Sequence, residues 1–133
     1  SIGLNKSITS PTLWLYIYDE DIWPARVYAP DISSKNNVPN GCSSLQAEIY
    51  YSKYKEMPRD LEKLKESVIT QLLKMQLFSK EDIIVTDIRE KEYANIMFTS
   101  SIYESRDNIH GYLKSVGIEY AGRWGEWDYS NLA

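Results

Sequence analysis

The residues best suited to chemistry crowd into one stretch near the end of the chain, Gly122-Arg123-Trp124-Gly125-Glu126-Trp127-Asp128-Tyr129. Glycines let a ligand approach the backbone closely. The planar guanidinium of Arg123 can donate two parallel hydrogen bonds to a phosphate or carbonyl, or stack on a flat ring. Trp124 and Trp127 supply flat apolar faces. The competing reading is a terminal aromatic patch packed on a sheet, and spacing alone leaves both open.

Other candidates are weaker. Asp19-Glu20-Asp21 supplies carboxylates, but neighbouring strand residues point to opposite faces, so a solvated strand end is expected rather than an acid–base pair. His110 falls off the apolar stripe of a helical stretch and reads as a surface histidine. Cys42 follows Asn40-Gly41 with nothing basic close by, which suits an inert thiol. The six glycines form neither a G-x-G-x-x-G fingerprint nor a Walker loop. An RNP-type aromatic strand is absent too.

Composition narrows the classes. The chain has 133 residues, with 15 Lys+Arg against 19 Asp+Glu and a net charge of −4. That is one domain's length, and the acidic balance disfavours a nucleic-acid binder working by bulk charge. One cysteine excludes an intrachain disulfide, and one histidine with one cysteine cannot build a structural zinc site. No apolar run approaches the roughly 18–20 residues of a membrane span, and no signal peptide is recognisable. A cytoplasmic setting is therefore expected. The chain opens on Ser1 rather than Met and stops soon after the aromatic motif, so a piece of a longer protein is expected. Eleven Tyr and four Trp stand out against two Phe. Such residues suit wet clefts, although half-exposed strand faces also use Tyr.

These residues need elements to hold them. Ser1–Pro11 reads as a loop or an entering edge segment. Leu13–Tyr18 alternates with period two, placing Leu13, Leu15 and Ile17 on one face and Trp14, Tyr16 and Tyr18 on the other. Ala25–Ala29 is a short strand, Pro30–Gly41 a loop, and Ser44–Ser52 a strand with Gln46, Glu48 and Tyr50 on its polar face. Leu61, Leu64, Val68, Leu72 and Met75 mark a helix over Pro58–Gln76. Asp82–Arg89 is a strand and Tyr93–Phe98 another extended stretch. Ser105–Val116 is a second helix with Ile109, Tyr112, Leu113 and Val116 on its stripe, stopped by Gly117. Ile118–Ala121 is a short last strand. The expected class is α+β, a mostly antiparallel sheet with two amphipathic helices.

The order Leu-Tyr-Ile-Tyr-Asp, then Asn-Val-Pro-x-Gly-Cys-Ser-Ser-Leu-Gln-Ala-Glu-Ile-Tyr, then Gly117-Ile-x-x-Ala-Gly-Arg-Trp-Gly-Glu-Trp-Asp-Tyr resembles the FAD-dependent amine oxidoreductases. The branch similar to UDP-galactopyranose mutase and protoporphyrinogen oxidase is the nearest. The resemblance implies an FAD cofactor and a fragment that covers the flavin and forms the substrate cleft without being catalytic alone. Residues 1–121 would be the substrate-side domain, and 122–133 the start of a return to a flavin-binding domain of the same parent chain. Gly122, Arg123, Trp124, Gly125, Glu126 and Trp127 would lie beside the flavin, and Tyr16, Tyr18 and Tyr129 would face a small-molecule substrate. A free-standing aromatic-rich module for carbohydrate or peptide is the alternative.

Overall fold

A computed structural model of the protein describes residues 1–8, 14–94 and 96–128. Leu13 and Tyr129 fall outside the described residues. The chain forms two compact units, Ser1–Arg89 and Glu90–Ala133.

The first unit is built on a sheet of five strands, β1 (Ile2–Leu4), β2 (Trp14–Tyr16), β3 (Arg26–Tyr28), β4 (Ser43–Glu48) and β5 (Ile83–Thr86). Their order is β2-β3-β4-β1-β5, and every neighbouring pair is antiparallel. The class is α+β, as the alternating segments imply. One expectation is overturned. Ile2–Leu4 is neither loop nor edge but an inner strand, with Ile2 opposite Leu45 and Thr86. Three residues are too few to display a period of two, so its pattern is invisible without its partners.

The helix α2 (Leu61–Lys74) lies on the apolar side. The Asp60 carboxylate accepts from the Lys63 N–H at 3.1 Å, so the helix starts at this cap rather than at Pro58. Leu64, Val68 and Leu72 on its stripe join Ile2, Leu4, Val27, Leu45 and Phe78 in one core. Asp19-Glu20-Asp21 forms the turn after β2, where the Asp21 N–H donates to Asp19 Oδ1 at 2.9 Å, an Asx-type turn. Pro30–Gly41, expected as loop, contains a single helical turn, α1 (Pro30–Ser33), and a 3₁₀ turn at Lys35–Asn37. Pro30 presets the first helical residue, and the buried Asp31 carboxylate accepts from the Ser44 N–H at 3.2 Å. Gly41 sits at a φ of 80°, and Cys42 N–H reaches Pro39 O at 3.0 Å, closing the turn that delivers β4.

The second unit holds α3 (Ile102–Ser115) and α4 (Gly122–Glu126). Gly117, at a φ of 73°, ends α3 as expected. Ile118 N–H donates to Leu113 O at 3.0 Å and Gly117 N–H to Lys114 O at 3.2 Å, the paired bonds of a Schellman stop. Two expected strands are not formed. The described residues of Tyr93–Phe98 carry no strand, and neither does Ile118–Ala121, which leads into α4. Short apolar runs show strand preference, not the presence of a partner. The α3 stripe is also not a core: Ile109, Tyr112 and Val116 are exposed, and only Ile102 is buried on this helix. Among the described residues no helix is long and apolar enough to cross a membrane.

Two outcomes check this packing. Leu72 is fully buried, so Leu72→Ala is expected to cost about 2–5 kcal/mol in urea unfolding, the usual price of a core cavity. Asp82 links strand to turn: its Oδ2 meets Lys6 Nζ at 2.6 Å and accepts from the Ser79 N–H at 2.8 Å. The Lys6 contact, then the Ser79 N–H, holds this carboxyl below its ordinary pKa. A lowered carboxylate contributes stability above the unfolded pKa of about 3.9, lost as pH falls through the folded value. Asp82→Asn should flatten that acid limb in unfolding curves taken between pH 6 and 2.

Candidate functional site

In antiparallel strands, residues directly opposite share a face. Trp14 pairs with Tyr28, Tyr16 with Arg26, Arg26 with Glu48, and Tyr28 with Gln46. Leu15, Val27, Leu45 and Ala47 belong to the core or pack against it, so these six residues must project from the opposite side of the sheet. There Trp14, Tyr16, Arg26, Tyr28 and Glu48 form a connected cluster. The Trp14 and Tyr28 rings stack with centroids 4.2 Å apart and planes inclined by 22°. The Arg26 guanidinium carbon lies 4.2 Å from the Trp14 ring centre and 5.8 Å from that of Tyr16, within cation–π range.

Glu48 orients that guanidinium. Its Oε2 accepts from Arg26 Nε at 3.2 Å and Arg26 Nη2 at 2.6 Å. The Tyr50 hydroxyl donates to the same oxygen at 2.6 Å. Burial on the sheet works against the Arg26 charge, but the hydrogen bonds with Glu48 and Tyr16 outweigh it and raise its pKa. Arg26 is therefore a permanent cation rather than a proton carrier. Burial first, and then the hydrogen bond and charge of Glu48, push the Tyr50 phenol up. The Tyr28 hydroxyl lies 2.8 Å from Ser33 Oγ, which ties this platform to α1. Trp14 is 39% and Tyr16 56% exposed, leaving aromatic surface for a ligand to cover.

Of the expected substrate-facing residues, Tyr16 belongs to this cluster. Tyr18 lies past the end of β2 and is almost fully exposed. Tyr129 is outside the described residues. Arg26, Tyr28, Glu48 and Tyr50 were not expected as site residues. Strand alternation put Glu48 and Tyr50 on the polar face, but only the β3–β4 register sets Arg26 opposite Glu48.

The Gly122–Trp127 segment belongs to the second unit. It forms α4 and its cap, with Gly122 at a φ of 77° and Trp127 left-handed at 49°. A Cβ added at Gly122 would meet nothing within 4 Å, so backbone angle rather than packing calls for glycine there. Trp124 is half exposed and Arg123 half-buried. The reading of His110 as a surface histidine is corrected. Its ring stacks on Tyr120 with centroids 3.8 Å apart and planes inclined by 16°. Its Nε2 is 2.9 Å from the Gly125 carbonyl oxygen. The partner is fifteen residues away, beyond what helical periodicity can reveal.

Glu48 controls Tyr50, which gives a direct check. In Glu48→Gln the carboxylate charge disappears while Arg26 stays, so the Tyr50 phenol should ionise at lower pH, nearer its ordinary value of about 10. Ultraviolet titration against a Tyr50→Phe control measures the shift. By linkage, the stability that the raised phenol contributes is present below about pH 10 and lost as pH rises through the folded value; the substitution should shrink that loss.

No protein-family model and no curated protein matches the chain. Among solved structures, the crystal structure of reduced UDP-galactopyranose mutase is similar to it over 96% of this chain, with 30% identity and a TM-score of 0.62. The chain spans 28% of the length of that structure's chain. The likeness therefore relates this chain in fold and sequence to a part of a mutase, in agreement with the mutase-like side of the resemblance.

Proposed function

We propose that this chain is the flavin-covering, substrate-cleft part of an FAD-dependent enzyme related to UDP-galactopyranose mutase, and is not catalytic alone. The observation that carries this reading is the likeness to the mutase at 30% identity across 96% of the chain. On this reading residues 1–121 supply the substrate-side domain. Residues 122–133 begin the return to a flavin-binding domain of the same parent chain.

The residues present fit one side of a flavin. Arg123 suits its carbonyl-bearing or anionic edge, and the exposed face of Trp124 suits a flat ring. Gly122, Gly125, Glu126 and Trp127 complete the segment beside the cofactor. The chain has no phosphate-binding glycine fingerprint, so the pyrophosphate cradle would come from the rest of the parent. When bound, the flavin carries the redox chemistry. This chain's own residues orient and enclose. Tyr16 and Tyr18, joined by Trp14, Tyr28 and Arg26, would meet the substrate by stacking and by hydrogen bonds from a fixed guanidinium. Tyr129 would contribute if the substrate is a sugar nucleotide.

A second reading has its own support. The exposed Trp14 and Tyr16 rings, backed by the half-buried Tyr28 and Arg26, would also serve a free-standing module that stacks on carbohydrate or peptide. The visible absorption spectrum of the purified full-length parent separates the two. Flavin bands in the parent, with no FAD bound by residues 1–133 alone, are the expected outcome. A colourless parent that takes up no added FAD would overturn the flavoenzyme reading in favour of the module.

A further inference from the structure

We infer that His110 is the positioning residue for the Gly122–Glu126 turn, fixing Arg123 and Trp124 through Tyr120 and the Gly125 carbonyl. Its functional half rests on the reading above that this turn meets the flavin. A five-residue helix has little hold of its own, since the first turn fixes several dihedrals for each hydrogen bond gained. Its last carbonyls also lack partners within the helix. The Gly125 carbonyl is one of these, and His110 Nε2 reaches it at 2.9 Å from the middle of the longer α3.

The chemistry of that contact sets the tautomer. A carbonyl oxygen only accepts, so Nε2 must carry the hydrogen. The ring is held from its side by Tyr120, nearly parallel at 3.8 Å. Tyr120 is held in turn by the turn it supports: a Cβ built on Gly125 would lie 3.4 Å from Tyr120 Cβ. The imidazole thus lies on the phenol ring of Tyr120, while Gly125 packs close to the Cβ and backbone of the same residue. Arg123 and Trp124 immediately precede its anchored residue. Histidine joins a flat stacking face to a donor in one small ring: phenylalanine stacks without donating, and glutamine donates without stacking.

The test uses the full-length protein. His110→Phe keeps the stack and removes the donor. It should weaken FAD binding roughly three- to tenfold, the worth of one hydrogen bond, and shift the flavin absorption band, with the melting temperature of the flavin-free protein little changed. His110→Gln restores a donor and should recover part of the affinity, which a purely structural role would not require. Wild-type affinity and an unshifted band in His110→Phe would overturn the inference while leaving the flavoenzyme reading intact. The imidazole nitrogen spectrum, assigned by the signal lost in His110→Phe, gives a result independent of flavin. An Nε2–H tautomer with a protected proton supports the clasp. An Nδ1–H tautomer or a freely exchanging ring overturns it, even if the parent binds no flavin at all.

Discussion

Packing of one sheet face against α2 determines which way the alternating side chains of β3 and β4 point. Leu4 and Leu72 are fully buried, and Ile2, Val27, Leu45, Leu64 and Val68 lie around them. Because side chains alternate along a strand, a slip of one residue in β3 or β4 would exchange the two faces. Val27 and Leu45 would lose about 1.5–3 kcal/mol each in exposure. Arg26 and Glu48 would be driven into the core, where stripping water from each ion costs several kcal/mol more. Both penalties act in the same direction, so the register is strongly determined. The aromatic and charged platform on the far face is the necessary counterpart of that core.

The platform itself adds little to stability. Arg26 and Glu48 remain partly in water, with side-chain exposures of 26% and 30%, and pairs of that kind contribute at most about 1 kcal/mol. Their effect is orientation. Two donors of one guanidinium and the Tyr50 hydroxyl converge on a single carboxylate oxygen. The fork is thereby held over Trp14 instead of sampling its many rotamers. Ordering a long side chain before a ligand arrives removes a cost that binding would otherwise carry. Arg26 is thus better explained as a pre-oriented cation than as a strut between strands.

What could be read from residues alone follows the range of each interaction. Periodicity over many residues made α2 legible, and alternation did the same for Trp14–Tyr16 and residues 44–48 within longer expected strands; the left-handed stop at Gly117 was legible from residue type. β1 was not, since three residues carry no period and its burial depends on β4 and β5 (residues 43–48 and 83–86). Arg26 showed no special signal because its partners are set by cross-strand register. His110 was misread for a related reason: its hydrogen bond skips fifteen residues to a backbone oxygen, and backbone acceptors leave no trace in residue type. The aromatic density of Gly122–Trp127 was visible, but its helical turn was not.

The second unit shows a further limit of periodicity, which identifies an apolar face without saying what covers it. Ile109, Tyr112 and Val116 recur at helical spacing on α3 yet are 42%, 66% and 50% exposed. Here local chemistry governs instead. The Schellman bonds at Gly117 stop α3, Ile118–Ala121 connects it to α4, and His110 and Tyr120 anchor α4. Trp127 then takes a left-handed backbone that costs a non-glycine residue roughly 1–2 kcal/mol. Strain of that size persists only where the surroundings over-determine it. Gln76, just past α2, takes the same left-handed backbone, so this strain belongs to ending a helix without glycine, and at Trp127 it is met by the bond from its N–H to the Arg123 carbonyl.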